Sequence, residues 1–133
     1  ITNAELALRV SLSPSACLRR VQRLESDGVI AGYVGLVSQE KLGRPTSIFI
    51  EVALKSQSEE ALKAFERAVR ACPDVMECYL MSGDADYLIR VVAADTQDYE
   101  RIHKQHLTRL PGVARIRSSF ALRAVCKKTA LDL

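Results

Sequence analysis

The sequence predicts an α+β chain in which a short helix-turn-helix unit precedes a ferredoxin-like βαββαβ domain. Three observations predict it. Residues 3–26 hold two helical stretches joined by Ser11-Leu12-Ser13. Beyond Gly43-Arg44-Pro45 the apolar spacing turns strand-like. The later segments then run β-α-β-β-α-β, the split βαβ unit, with a four-stranded antiparallel sheet and two helices on one face. The spacing sets the first domain at 1–43 and the second at 44–133.

In the first unit, Leu6, Ala7 and Val10 share one helical face, with Thr2 or Asn3 placed as N-cap. Ser13 is an N-cap residue for the next helix, and Pro14 suits its first position because a proline lacks the N–H that would be unpaired there. Over 14–26, Cys17, Leu18, Val21 and Leu24 recur at helical spacing, while Arg19, Arg20 and Arg23 lie on the other face. Asp27-Gly28 ends the helix. Residues 33–37, YVGLV, read as a strand that serves as a wing or linker.

In the second unit, PTSIFIEVAL (45–54) is a β-branched, apolar strand. Helix 58–72 has Leu62, Phe65, Val69 and Cys72 on one face, Ser58 as cap and Glu59-Glu60 in the first turn. VMECYLM (75–81) and YLIRVVA (87–93) are strands around the turn SGDAD (82–86). Helix 96–110 is capped by Asp95 or Thr96 and stopped by Pro111-Gly112, and 113–125 is the last strand. Strands 48–54 and 75–81 alternate between two faces that are both largely apolar. A sheet apolar on both sides buries both. The face without helices is therefore expected to pair with another copy, giving a homo-oligomer.

The totals are those of an ordinary globular chain: 133 residues, 48% hydrophobic, 26% charged and a net charge of +3. That charge neither requires nucleic acid nor excludes it, so its distribution matters. Cys17, Cys72, Cys78 and Cys126 have no zinc-like spacing and read as free thiols in a reducing cytosol. No apolar run is long enough to span a membrane. No catalytic triad, phosphate-cradling glycine loop or paired catalytic carboxylates are visible, and no cofactor or metal is implied.

Two stretches carry chemistry. In a helix-turn-helix the second helix enters the major groove. Ser13 and Ser15 at its start can bond phosphate or bases, and Arg19, Arg20 and Arg23 supply counter-charge and guanine contacts. The other reading is a solvated αα-hairpin. The second stretch is Ser82-Gly83-Asp84-Ala85-Asp86-Tyr87. It is either a plain strand-joining turn or a site where carboxylates and free amides meet an amino-acid zwitterion. His103 and His106 lie three apart on a helix without a third ligand and read as polar-face residues.

ITNAELALRVSLSPSACLRRVQRLESDGVIAGY resembles the N-terminal motif of the leucine-responsive/AsnC (feast/famine) transcription regulators. MSGDADYLIRV and LTRLPGVARIRSSFALRAVCKKTALDL resemble their C-terminal regulatory domain. The resemblance implies a winged helix-turn-helix that lacks its first helix, and hence is truncated at its start. It implies double-stranded DNA as partner and a small amino-acid effector, leucine or another branched-chain acid. It implies dimers assembling into an octamer in the cytoplasm, associated with the nucleoid, and no enzyme. By the same match Gly83, Asp84 and Asp86 line the effector site, with Thr108, Ser118 and Ser119 as further candidates. The competing expectation is a stand-alone amino-acid-sensing and oligomerisation module without DNA binding.

Overall fold

The computed structural model describes residues 1–129. Residues 130–133, the end of the expected second domain, lie outside the described residues. The chain forms two compact units, Ile1–Leu36 and Val37 onwards.

The first unit is a pair of helices, α1 (Asn3–Arg9) and α2 (Pro14–Ser26). Thr2 and Glu5 form a capping box on α1, with Glu5 Oε2 accepting from the Thr2 N–H at 2.9 Å. The Thr2 amide and hydroxyl hold the Glu5 carboxyl below its ordinary range. Ser13 caps α2 by accepting from the Ala16 N–H at 3.2 Å, with Pro14 in the first turn. Ser11 takes the left-handed conformation (φ 55°), which lets the turn close in three residues. Asn3 Nδ2 donates to the Pro14 carbonyl at 2.9 Å and ties the two helix starts together. Only Ala7 and Cys17 are fully buried here.

The second unit is a four-stranded antiparallel sheet in the order β2-β3-β1-β4, from β1 (Thr46–Leu54), β2 (Val75–Leu80), β3 (Tyr87–Ala93) and β4 (Val113–Phe120). Its helices are α3 (Glu59–Arg70) and α4 (Thr96–Gln105), and a 3-10 turn follows at Leu107–Arg109. This is the expected ferredoxin-like arrangement. Alternation along β1 sends Ile48, Ile50, Val52 and Leu54 into the core, where they meet Phe65 and Val69 of α3 and Ile102 of α4. Tyr87 packs on Phe65 with ring centroids 4.5 Å apart and donates its hydroxyl to Glu66 Oε1 at 2.9 Å. Burial, first, and then that bond to a carboxylate push the phenol pKa up.

Four expectations need correction. Residues 33–37 form no strand: Val34 and Leu36 stand exposed, and the segment pairs with no strand among the described residues. The last helix does not run to 110 but ends at Gln105, where His106 leaves helical geometry (φ −120°, ψ −58°). Strand β4 stops at Phe120, because β1, its partner, begins at Thr46 and pairing is exhausted once Ala121 N–H reaches the Ser47 carbonyl. The helix-free face, expected to be largely apolar, is mixed, with ion pairs among its apolar side chains. A register shift between Val75 and Glu77 turns Val75 to the core side with Cys78, and brings Glu77 and Tyr79 to the open face. There Glu77 pairs with Arg90 (3.0 Å) and Glu51 with Arg117 (2.6 Å), interleaved with Phe49, Tyr79 and Leu88.

Candidate DNA-binding helix and effector pocket

Helix α2 displays its basic residues as its periodicity requires. Cys17 is buried against α1, so Arg19, Arg20 and Arg23 fall on the exposed side. Arg23 bonds Asp27 one turn on at 3.4 Å, with both side chains well exposed, so this contact is weak. Arg19 and Arg20 have no ion-pair partner among the described residues. Ser13 and Ser15 sit at the exposed helix start with hydroxyls 3.3 Å apart. Ser13 is committed to its cap, whereas Ser15 keeps donor and acceptor capacity. All five residues named from the sequence thus lie on one exposed helix, with the serines at its N-terminal end, where unpaired N–H groups favour anions.

The SGDAD turn joins β2 to β3 and closes on itself, Met81 N–H bonding the Asp86 carbonyl at 2.8 Å. It opens onto the helix-free face, where a cavity of about 270 Å³ is lined by Gly83, Asp84, Met81, Leu88, Arg115 and Arg117, together with Glu51 and Ala53. Neither Asp84 nor Arg115 has an ion-pair partner among the described residues. Beside the Glu51–Arg117 pair, the cavity therefore offers one unpaired carboxylate and one unpaired guanidinium, with Met81, Leu88 and Ala53 as apolar lining.

The other residues named from the sequence are elsewhere. Asp86 turns its carboxylate inward, accepting from Leu54 N–H at 2.7 Å and from Gln57 Nε2 at 3.3 Å. It ties the turn to the end of β1. Ser118 pairs in register with the buried Ile50, so it faces the helices, and its hydroxyl bonds Tyr99 of α4. Ser119, one residue on, pairs with Phe49 on the open face. Thr108 is exposed in the 3-10 turn and donates to the Lys104 carbonyl at 3.0 Å. Glu51, Arg115 and Arg117 were missed. The signal for the two arginines is a period-two polar pattern in VARIRSSF, and that for Glu51 is a lone charge in an otherwise apolar strand; both are legible only once β4 is known to lie beside β1.

Burial raises the thiol pKa of Cys72 and Cys78, the latter to about 11, and nearby Asp74 and Glu66 respectively add to it. Both thiols are thus held neutral. His103 packs beside Tyr99 while His106 approaches Asp74, so the two histidines have separate surroundings. No helix is long and apolar enough to cross a membrane among the described residues.

The comparisons with known proteins agree with this fold. Residues 47–131 match the Lrp/AsnC ligand binding domain, and residues 1–31 match a winged helix-turn-helix DNA-binding family. An uncharacterized HTH-type transcriptional regulator of Sinorhizobium fredii is 48% identical over 118 residues, covering 89% of this chain and 93% of that protein. The Bkd operon transcriptional regulator of Pseudomonas aeruginosa is 42% identical over 129 residues, covering 97% and 84%. Among solved structures, a transcriptional regulator from Neisseria meningitidis in complex with L-Met superposes with a TM-score of 0.92 at 34% identity, covering 99% of this chain and 85% of that one. These relatives are regulators, which points away from an enzyme. With a ligand-binding-domain match across most of its length and these relatives beside it, the chain belongs to the Lrp/AsnC family of helix-turn-helix transcriptional regulators.

Proposed function

We propose that this regulator binds double-stranded DNA through α2 and that a small amino acid, held at the SGDAD turn, modulates that binding. The observation that carries the effector part is the cavity beside the turn, where Asp84 and Arg115 stand without ion-pair partners among the described residues, on a partly apolar lining. An α-amino acid carries an ammonium and a carboxylate a few ångströms apart. Asp84 takes the first, Arg115 and turn amides take the second, and Met81 and Leu88 contact an aliphatic side chain. The L-Met complex of the Neisseria relative supports an effector of this class, and methionine, leucine and the other branched-chain acids are the first to try. Asp86 serves the site indirectly by fixing the turn to β1.

DNA is contacted by Arg19, Arg20 and Arg23 on the exposed side of α2, and by Ser13 and Ser15 at its start. Two copies associate through the open sheet face, where Phe49 and Tyr79 are 38% and 54% exposed, and dimers assemble further into an octamer. The effector acts by binding one assembly or DNA-binding state better than another. Such a protein works in the cytoplasm on the chromosome. The test is calorimetry with a panel of amino acids, alongside DNA mobility shift. Binding of one aliphatic amino acid that is lost in both Asp84→Asn and Arg115→Met is the expected result. Unchanged affinity in both variants would remove the effector from this cavity.

A further inference from the structure

We propose that Asp74 is an anchor that fastens the connecting segment 38–44 to the ligand domain through Arg44, and so sets the length of the free tether to the DNA-binding helices. Asp74 follows α3 and is the only buried charged residue among the described residues, at 7% exposure. A buried carboxylate needs compensating charge. The nearest comes from Arg44, whose Nη1 lies 2.9 Å from Oδ1. Arg101 of α4 reaches both carboxylate oxygens only at 3.5 Å and is drawn more closely to Asp98, at 2.8 Å. His106 stands 3.6 Å away. The connecting segment therefore supplies the best of the bonds that Asp74 receives.

The segment is built to transmit that hold. Leu42, Gly43 and Arg44 N–H groups bond the carbonyls of Ser38, Glu40 and Gln39 at 3.1, 2.9 and 3.0 Å, forming a compact double turn. Gly43 takes φ 71°, which aims the chain from the turn towards Asp74. Gln39 Nε2 also donates to Ser47 Oγ at 3.2 Å. By contrast, residues 31–37 carry neither helix nor strand. With the anchor closed, the tether is about seven residues, tied to α2 among the described residues by one exposed bond, from the Tyr33 hydroxyl to Glu25 Oε1 at 2.7 Å. With it open, the tether is about fourteen. For a flexible linker longer than its span, effective concentration falls roughly as the −3/2 power of length, so doubling costs about threefold.

The proposal rests on the DNA-binding reading for its consequence but not for its geometry, and the experiment separates them. Arg44→Met in the full chain is followed by amide hydrogen exchange and by mobility shift on duplexes with one or two half-sites. Exchange at Leu42, Gly43 and Arg44 is expected to rise about tenfold or more, while β1 and β3 keep their protection. Affinity for two half-sites falls about threefold and single-site affinity is unchanged. Unchanged protection at 42–44 overturns the anchor. So does a rise spread evenly over the ligand domain, which would make the ion cluster a general stabiliser; Asp74→Asn, scored by the same local-to-global ratio, guards against a folding defect peculiar to one variant. A wild-type chain that binds neither duplex sinks the DNA reading alone, because the exchange result still decides the anchor.

Discussion

Arg117 and Glu51 face each other across β4 and β1 on the sheet face that no helix covers, with Nη2 and Nε each 2.6 Å from the same carboxylate oxygen. In an isolated protomer these side chains are 75% and 41% exposed, so the pair contributes about 0–1 kcal/mol. In an assembly that covers this face the pair loses water, and removing Glu51 alone costs about 3–5 kcal/mol by stranding the arginine. A double-mutant cycle with Glu51→Gln and Arg117→Met, read by chemical denaturation across protein concentration, is expected to show coupling that grows as copies associate. Coupling below 1 kcal/mol at every concentration would mean that the face stays wet.

Asp84 and Asp86 are two residues apart but separate in their effects. Asp86→Asn weakens the bond to Leu54 N–H, costing about 1–3 kcal/mol, and loosens the turn. Asp84 makes no side-chain bond among the described residues, so Asp84→Asn leaves the melting temperature within a degree or two. Thermal melts with and without amino acid are expected to show lower stability for Asp86→Asn, and normal stability with no ligand-induced shift for Asp84→Asn. Equal melting behaviour of the two would contradict this division.

On α2, Ser13→Ala removes the bond to Ala16 N–H and costs about 1 kcal/mol in the first unit. Arg19→Ala and Arg20→Ala leave helix content unchanged, and each lowers the slope of log affinity against log salt by about one. Circular dichroism and salt-dependent mobility shift check both. An unaltered slope in the double variant would place the DNA contacts elsewhere.

The thiols give a pH dependence with a definite sign. Cys78 binds its proton more tightly folded, with a pKa near 11, than unfolded, near 8.5. The folded state thus holds more protons between those values, and stability falls as pH rises through that window. Cys78→Ala is expected to flatten the decline. At pH 8 the thiolate fraction of Cys78 is smaller by on the order of 100-fold than that of an ordinary thiol, so alkylation labels the exposed Cys126 first. Early labelling of Cys78 by mass spectrometry would refute its shielding.

Much of the fold was legible because burial leaves a period. Ile48, Ile50, Val52 and Leu54 alternate, and Leu62, Phe65, Val69 and Cys72 recur at three and four, since one side of each element faces the core. Caps at Ser13, Ser58 and Asp95 were legible for a local reason: each bonds an amide three residues on. What stayed hidden depends on register. Ser118 and Ser119 look alike in sequence, yet one faces α4 and the other the open side. A single bulge at Met76 reverses the face of Val75. Asp74 could not be singled out, because its partners Arg44 and Arg101 lie 30 and 27 residues away. The pocket arginines were hidden likewise, since their neighbour Glu51 comes 66 residues before Arg117.

That same separation orders events as the chain leaves the ribosome. The first unit is held by local contacts and can close once residues 1–36 have emerged. Strand β1 sits inside the sheet, so one of its edges pairs with β3 early while the other waits for residues 113–120. Until then the nascent chain presents a bare, aliphatic central strand, the kind of edge that recruits chaperones or a neighbouring nascent chain. Synthesis stalled before Val113 would therefore yield a sticky intermediate, and the last strand acts as the cap that ends that hazard.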